Sequence, residues 1–356
     1  MAVHLAELLT LGARPAAGLL LALTDRCPLA CAHCSTDSTM DSAQSPGDPF
    51  RRLVGSFEPD RRPELILMSG GEPLLRPSLV DELAASAAKS GARSALLSGM
   101  FFARGGGLPP AVRRAVTGLD HFAASLDAQH EREVGRARVF AALDAVLALV
   151  PAASLHITAL PGPGGRSYLD ALVAEVRRRY GARLPMLVSA VQPTGRAMAL
   201  LPVRAPAQDG GGPCEFAHWP LVDQDGTVYA CTRQSLLRGG GPAHLVLGHA
   251  ARDSWRTISD RALGDPLLRS VRTIGPVATR ERHGPADGCT PDACRSCLGL
   301  TAATAAGAAE RLADPAGRRM ERAVLALTAA RSPRRLALAR GALPGYAELV
   351  ELGWAG

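Results

Sequence analysis

The stretch Thr24-Asp25-Arg26-Cys27-Pro28-Leu29-Ala30-Cys31-Ala32-His33-Cys34 sets three cysteines in a C-x3-C-x2-C triplet. Three thiolates on one short loop suit three irons of a [4Fe–4S] cube, whose usual ligands are cysteine thiolates. The fourth iron then lacks a protein ligand and accepts an outside one. Two plainer chemistries use the same residues: a zinc site completed by His33, or part of a disulfide framework. The apolar run 18–23 ahead of the loop reads as a buried strand that feeds it.

From that strand onward one pattern repeats. Short apolar runs at 18–23, 64–68, 93–97, 121–126, 154–160 and 186–191 alternate with helix-like segments near 76–90, 109–117, 139–150 and 166–180. The last three of those helices start just after Pro or Gly signals. Six strands alternating with helices predict an α/β domain of parallel βα units with right-handed crossovers, and the periodicity leaves open whether the sheet closes.

The second strand runs into Ser69-Gly70-Gly71-Glu72-Pro73, 36 residues beyond Cys34. Alone this is a good turn. Joined to the triplet, in this order and at this distance, it resembles the GGE-P motif of the radical S-adenosylmethionine (SAM) enzymes. The resemblance implies that SAM binds the open iron and that Gly70, Gly71, Glu72 and Pro73 form part of its site, with Glu72 holding the amino group. Ser125 and Asp127, two apart at the end of the fourth strand and therefore on one side of it, resemble the family's S-x-D pair. Ser98-Gly99 after the third strand, and His156 and Thr158 on the fifth, are further candidates for the wall around the cofactor's ribose or the substrate, beside the plainer reading as ordinary strand-end polar residues. The run from His130 to Phe140 resembles the family's HD-x-x-RG stretch, but Val134 stands where the arginine is expected. A SAM carboxylate calls for a forked guanidinium, so Arg138, with Arg136 beside it, is expected to take over. His33 replaces the usual aromatic residue, and Gln192-Pro193-Thr194-Gly195-Arg196-Ala197 resembles the P-x-GRA turn of relatives with C-terminal clusters.

A second cysteine group follows a Pro- and Gly-rich stretch at 201–213 that reads as a linker. Cys214 and Cys231 flank a hairpin centred on Asp223-Gln224-Asp225-Gly226, and Cys289, Cys294 and Cys297 come later. This resembles the SPASM/Twitch extension. Five cysteines are too few for the seven of a full SPASM domain, so the shorter Twitch form is implied, with Cys214, Cys231, Cys294 and Cys297 holding one auxiliary [4Fe–4S] cluster and zinc as the plainer occupant. Cys289 is then a spare thiol, an alternative cluster ligand or a catalytic hydrogen-atom donor. The expected organisation is a partial (β/α)6 radical SAM barrel at 1–200, the linker, an auxiliary-cluster domain at 214–300, and a helical segment at 301–356, broken near Pro315-Ala316-Gly317.

Composition excludes other classes. Among 356 residues, 47% are hydrophobic and 21% charged, which rules out wholesale disorder. The net charge of +7 comes from scattered arginines, with Lys89 the only lysine, and aromatics are 4%, so no nucleic-acid face is expected. Residues 15–34 imitate a secretory signal with a lipoprotein-like box at Leu29-Ala30-Cys31, yet Asp25 and Arg26 interrupt it and Glu7 sits in the would-be basic region. No run approaches the roughly 18 apolar residues of a membrane span. Eight cysteines in two tight groups fit clusters in a reducing cytoplasm.

The resemblance implies reductive cleavage of SAM and hydrogen abstraction by the radical formed, with electrons from a donor such as flavodoxin or ferredoxin. An auxiliary cluster that accepts an electron would make the outcome a dehydrogenation, as in aminoglycoside-pathway Twitch enzymes; a cysteine donor would make it an epimerisation. A small polar metabolite of natural-product biosynthesis (aminosugar, cyclitol or nucleoside) is the expected substrate. The barrel starts after some 16 residues, too few for a leader-peptide domain. The alternative is a peptide modified with help from a separate recognition protein.

Overall fold

The six apolar runs form six parallel strands: β1 (Gly18–Ala22), β2 (Leu65–Ser69), β3 (Arg93–Ser98), β4 (His121–Ser125), β5 (Ala153–Ala159) and β6 (Met186–Ala190). This computed structural model describes residues 2–160, 162–201, 212–234, 240–284 and 292–355. The strands are apolar on both faces, as parallel strands covered by helices must be. Each pairs with the next in chain order, so the sheet winds in one direction, as a barrel does.

The helices between them are α2 (Asp48–Gly55), α3 (Pro77–Lys89), α4 (Pro110–Thr117), α5 (Arg136–Leu147) and α6 (Pro163–Tyr180). Proline in the first turn starts α2, α3, α4 and α6, where its missing N–H costs nothing. On α4, Val112, Ala115 and Val116 are buried at i, i+3 and i+4, the single apolar stripe of a helix lying on a sheet.

The sheet continues past β1 instead of closing. The strand order is β6-β5-β4-β3-β2-β1-β7-β8-β9, with β7 (Leu221–Val222) parallel to β1 and then β8 (Thr227–Tyr229) and β9 (Val246–His249) antiparallel. The hairpin turn is the expected one: Gly226, at φ 93°, donates its N–H to Asp223 O at 2.9 Å. The outer edge of β6 is covered by Gly341–Leu343, since Ala190 N donates to Gly341 O and Leu343 N to Val188 O.

An N-terminal helix α1 (Leu5–Gly12) and three helices after β9, namely α7 (Trp255–Gly264), α8 (Pro266–Ile274) and α9 (Pro276–His283), were not anticipated. They are followed by α10 (Ala293–Leu298), α11 (Ala302–Ala313), α12 (Pro315–Ala329) and α13 (Pro333–Ala339). The break at Pro315 is as read, with Asp314 capping α12 by accepting from Gly317 N. Leu5, Leu9, Leu336 and Val350 share one buried cluster, which joins the two ends of the described chain. Residues 202–211 of the expected linker, and Cys289, lie outside the described residues.

Candidate functional site

The loop from β1 to α2 carries the triplet, and two neighbours clamp it through backbone contacts. After β2, Gly71 N donates to Thr24 O at 2.6 Å and Glu72 N to Arg26 O at 2.8 Å. A Cβ on Gly71 would stand 2.3 Å from Arg26 O, and one on Gly70 2.4 Å from Thr24 O, so only glycine permits this approach. After β6, Gly195 at φ 56° lies where a Cβ would meet Cys34 O at 2.4 Å, and Arg196 N donates to Cys34 O at 3.0 Å. Both motifs singled out beside the triplet therefore pack on it.

Cys27, Cys31 and Cys34 line one cavity of about 320 Å³ at the C-terminal ends of the parallel strands. Its wall includes Gly70, Gly71, Glu72 and Gly99, together with the strand-end residues Ser69, Ser125, Thr158 and Ser189. His33, His130 and Arg196 complete it.

Glu72 is fully buried, and its carboxylate accepts from Leu74 N at 3.1 Å, Ser98 Oγ at 3.0 Å and Gly99 N at 2.9 Å. Burial raises its pKa to about 7, against the pull of those donors. The carboxylate thus ties the end of β2 to the end of β3, and Ser98, itself buried, reaches the cavity only through it. Pro73 starts the short turn Pro73–Leu75 behind Glu72.

Asp127 is 1% exposed and accepts from His33 Nε2 at 2.9 Å, His130 Nδ1 at 2.8 Å and the N–H of Gln129 at 2.9 Å. Burial works against its charge, but the two imidazoles outweigh it and hold the carboxyl far below the usual range. Burial likewise opposes protonation of His130, and the Asp127 charge nevertheless holds it up at about 10. Asp127 therefore acts on the cavity through His33 and His130. Their ring nitrogens and Cys31 Sγ lie within 4.8 Å of one another.

Arg138 does not join the cavity: it is exposed and donates to Arg104 O at 2.9 Å. Arg136 is tied to Glu131 and, at 2.7 Å, to Glu175.

The thiols fit a cluster. Burial pushes Cys27 up to about 12, and the charges of Glu72, Cys31 and Cys34 add to it. Bound irons reverse that cost by taking the thiolate form. Burial also opposes the Cys34 thiolate, yet Thr36, Ser38 and Arg196 bring its pKa below the ordinary value.

The second cysteine group also assembles. Burial pushes Cys231 up to about 12 and raises Cys214 and Cys297, and Cys294 is among the neighbours raising all three. Arg233 NH1 donates to Cys294 Sγ at 3.4 Å, and Leu267, Val271 and Leu300 pack around Cys214 and Cys297. Four half-buried thiols of this kind offer the donor set of an iron–sulfur cube or of a zinc site. Gln234 fastens this region to the first loop by donating to Asp25 at 3.1 Å and Asp223 at 3.2 Å.

Sequence reasoning singled out His156 but not the second cavity it lines, of about 280 Å³, on the inner face of the strands. Leu20, Leu67, His156, Trp219 and Arg340 line it, and Leu97 belongs to both cavities. Its lining also takes in Glu215 and Thr232, the residues after Cys214 and Cys231. The alternating small and polar residues of β4 and β5 were the available signal.

No protein family model matches the chain, and no curated protein does. Solved structures do match. SuiB of Streptococcus suis, bound to precursor peptide SuiA, shares 11% identity over 74% of this chain and 67% of its own, with a TM-score of 0.50. AnSMEcpe with AdoMet and the Cp18Cys peptide shares 12% over 85% and 99%, with a TM-score of 0.47. BtrN with AdoMet and 2-DOIA shares 14% over 74% and 89%, with a TM-score of 0.43. These neighbours are radical SAM enzymes, and the likeness to SuiB is one of fold: a mostly parallel radical SAM sheet with an auxiliary domain.

Proposed function

We propose that this chain, built on the radical SAM fold, is a radical SAM enzyme in which Cys27, Cys31 and Cys34 hold the SAM-binding [4Fe–4S] cluster. The observation that carries the reading is the single cavity onto which the three cysteines and Gly70-Gly71-Glu72 converge. When bound, cluster and cofactor supply a one-electron cleavage of SAM and hydrogen abstraction from substrate.

The chain's own residues position and enclose that chemistry. Gly70, Gly71 and Gly195 fix the cluster loop by backbone contact, and Glu72 braces the cavity wall through Ser98 and Gly99. Ser125, Thr158 and Ser189 offer hydroxyls to polar groups of SAM or substrate.

Cys214, Cys231, Cys294 and Cys297 are assigned to an auxiliary [4Fe–4S] cluster that takes the second electron, which makes the reaction an oxidation. The substrate in this reading is a small polar metabolite such as an aminosugar, cyclitol or nucleoside, and the hydroxyl-lined cavity at the triplet is the space offered to it. A flavodoxin or ferredoxin supplies the first electron, and Cys289 is the candidate hydrogen donor should the reaction prove redox-neutral. SuiB is bound to a precursor peptide, so a peptide is the alternative substrate.

Deuterium moving from a labelled aminosugar or cyclitol into 5′-deoxyadenosine tests the substrate class. Transfer only from peptides would replace it.

A further inference from the structure

We propose that Arg196 is the guanidinium that binds the SAM carboxylate, an assignment that rests on the radical SAM reading above. The expected position is apolar, since Val134 is 2% exposed and buried. The two neighbouring candidates are engaged elsewhere, Arg136 with Glu131 and Glu175, and Arg138 with Arg104 O. Among the described residues lining the cavity that holds the three cysteines, Arg196 is the one arginine.

Its donors leave one face over. Nε donates to Cys31 O at 3.1 Å, and NH1 to Ser38 O at 2.9 Å and Asp37 at 3.1 Å, while NH2 is buried with no hydrogen-bond partner. A buried guanidinium N–H without an acceptor is costly, and a carboxylate is the acceptor whose charge and shape match it. Asp37 is 61% exposed on its side chain, so solvent weakens that ion pair. The arm is also well placed. Gly195 and the N–H of Arg196 lock the backbone against Cys34, so Arg196 lines the cavity from a fixed point.

The test compares SAM with decarboxylated SAM, which keeps the sulfonium, adenosine and amine but lacks the carboxylate. Both are titrated into anaerobically reconstituted wild-type, R196Q and R196K proteins whose first-cluster iron has been counted. R196Q should weaken SAM about 10- to 100-fold, the range for a charged hydrogen bond, and leave decarboxylated SAM almost unchanged. R196K, with one point charge and no fork, should fall between. Any bond from the carboxylate to iron is common to all three proteins and cancels in the ratio. Equal weakening of both ligands would overturn the assignment, as would no weakening of either. Loss of iron from both variants would make Arg196 a brace for the loop and overturn it too. A wild-type protein that binds no SAM at all would instead defeat the radical SAM reading.

Discussion

His130 Nδ1 donates to Asp127 Oδ2 at 2.8 Å, and the carboxylate is 1% exposed. The contact converts a strand-end aspartate into the organiser of two imidazoles beside the cluster cysteines. Removing one member of a buried, hydrogen-bonded charge pair leaves the other uncompensated. Asp127→Asn should therefore destabilise the apoprotein by about 3 kcal/mol in urea denaturation. Asp260→Asn, which breaks the exposed pair with Arg61, should leave the midpoint nearly unmoved. Equal midpoints for the two variants would show that the Asp127 network contributes nothing.

Gly71→Ala places a Cβ where it would lie 2.3 Å from Arg26 O, and a backbone atom cannot swing aside as a side-chain end can. The substitution should displace the cluster loop and reduce reconstituted iron from about eight to about four per chain, the auxiliary cube surviving. A variant with full iron would mean that the loop is not held by this contact.

Glu72→Ala strips the acceptor from Ser98 Oγ and from the buried N–H groups of Leu74 and Gly99. The expected cost is about 2–4 kcal/mol, with weaker SAM binding as the β2 and β3 ends separate. Unchanged stability together with unchanged SAM affinity would reduce Glu72 to an ordinary turn residue.

Three histidines, His121 and His218 buried and His156 half-buried, set an acid limit. Burial, the leading cause in each, lowers His121 to about 3, His156 to about 4 and His218 to about 3. His121 is held neutral by geometry as well, donating from Nδ1 to Val3 O at 2.7 Å and leaving Nε2 to accept from Ser154 Oγ at 2.8 Å. Because the folded pKa values lie below the unfolded value near 6.5, the unfolded chain binds more protons between them, and stability falls as pH drops through that window. Each such group contributes up to about 1.4 kcal/mol per pH unit. Denaturation midpoints measured from pH 7 to 4 should fall steeply, and His121→Gln should flatten the slope. A slope that His121→Gln leaves unaltered would contradict the assignment.

The parallel sheet was legible because its strands are largely apolar runs, and all six lie within two residues of their expected bounds. The helix α1 was not. It has eight residues and is capped by His4, whose Nδ1 accepts from Ala6 N, so it lacks the Ser, Thr, Asp or Asn signal of a helix start. At the site, spacing identified the residues that touch the cluster loop by backbone, because glycine tolerates so few substitutes there. Side-chain direction was another matter. Arg138 follows a helix start on the outer surface and points away, and only a tertiary contact with Cys31 and Cys34 brings Arg196, distant in sequence, to the cavity.

The central claim is tested most directly by 5′-deoxyadenosine formation from SAM, with dithionite as reductant, in wild-type protein and in a variant with Cys27, Cys31 and Cys34 all changed to Ala. The wild type should form 5′-deoxyadenosine and methionine. The variant should form neither while keeping about four irons, one cube, on the second cysteine group. Cleavage of SAM by the variant at the wild-type rate would contradict the account.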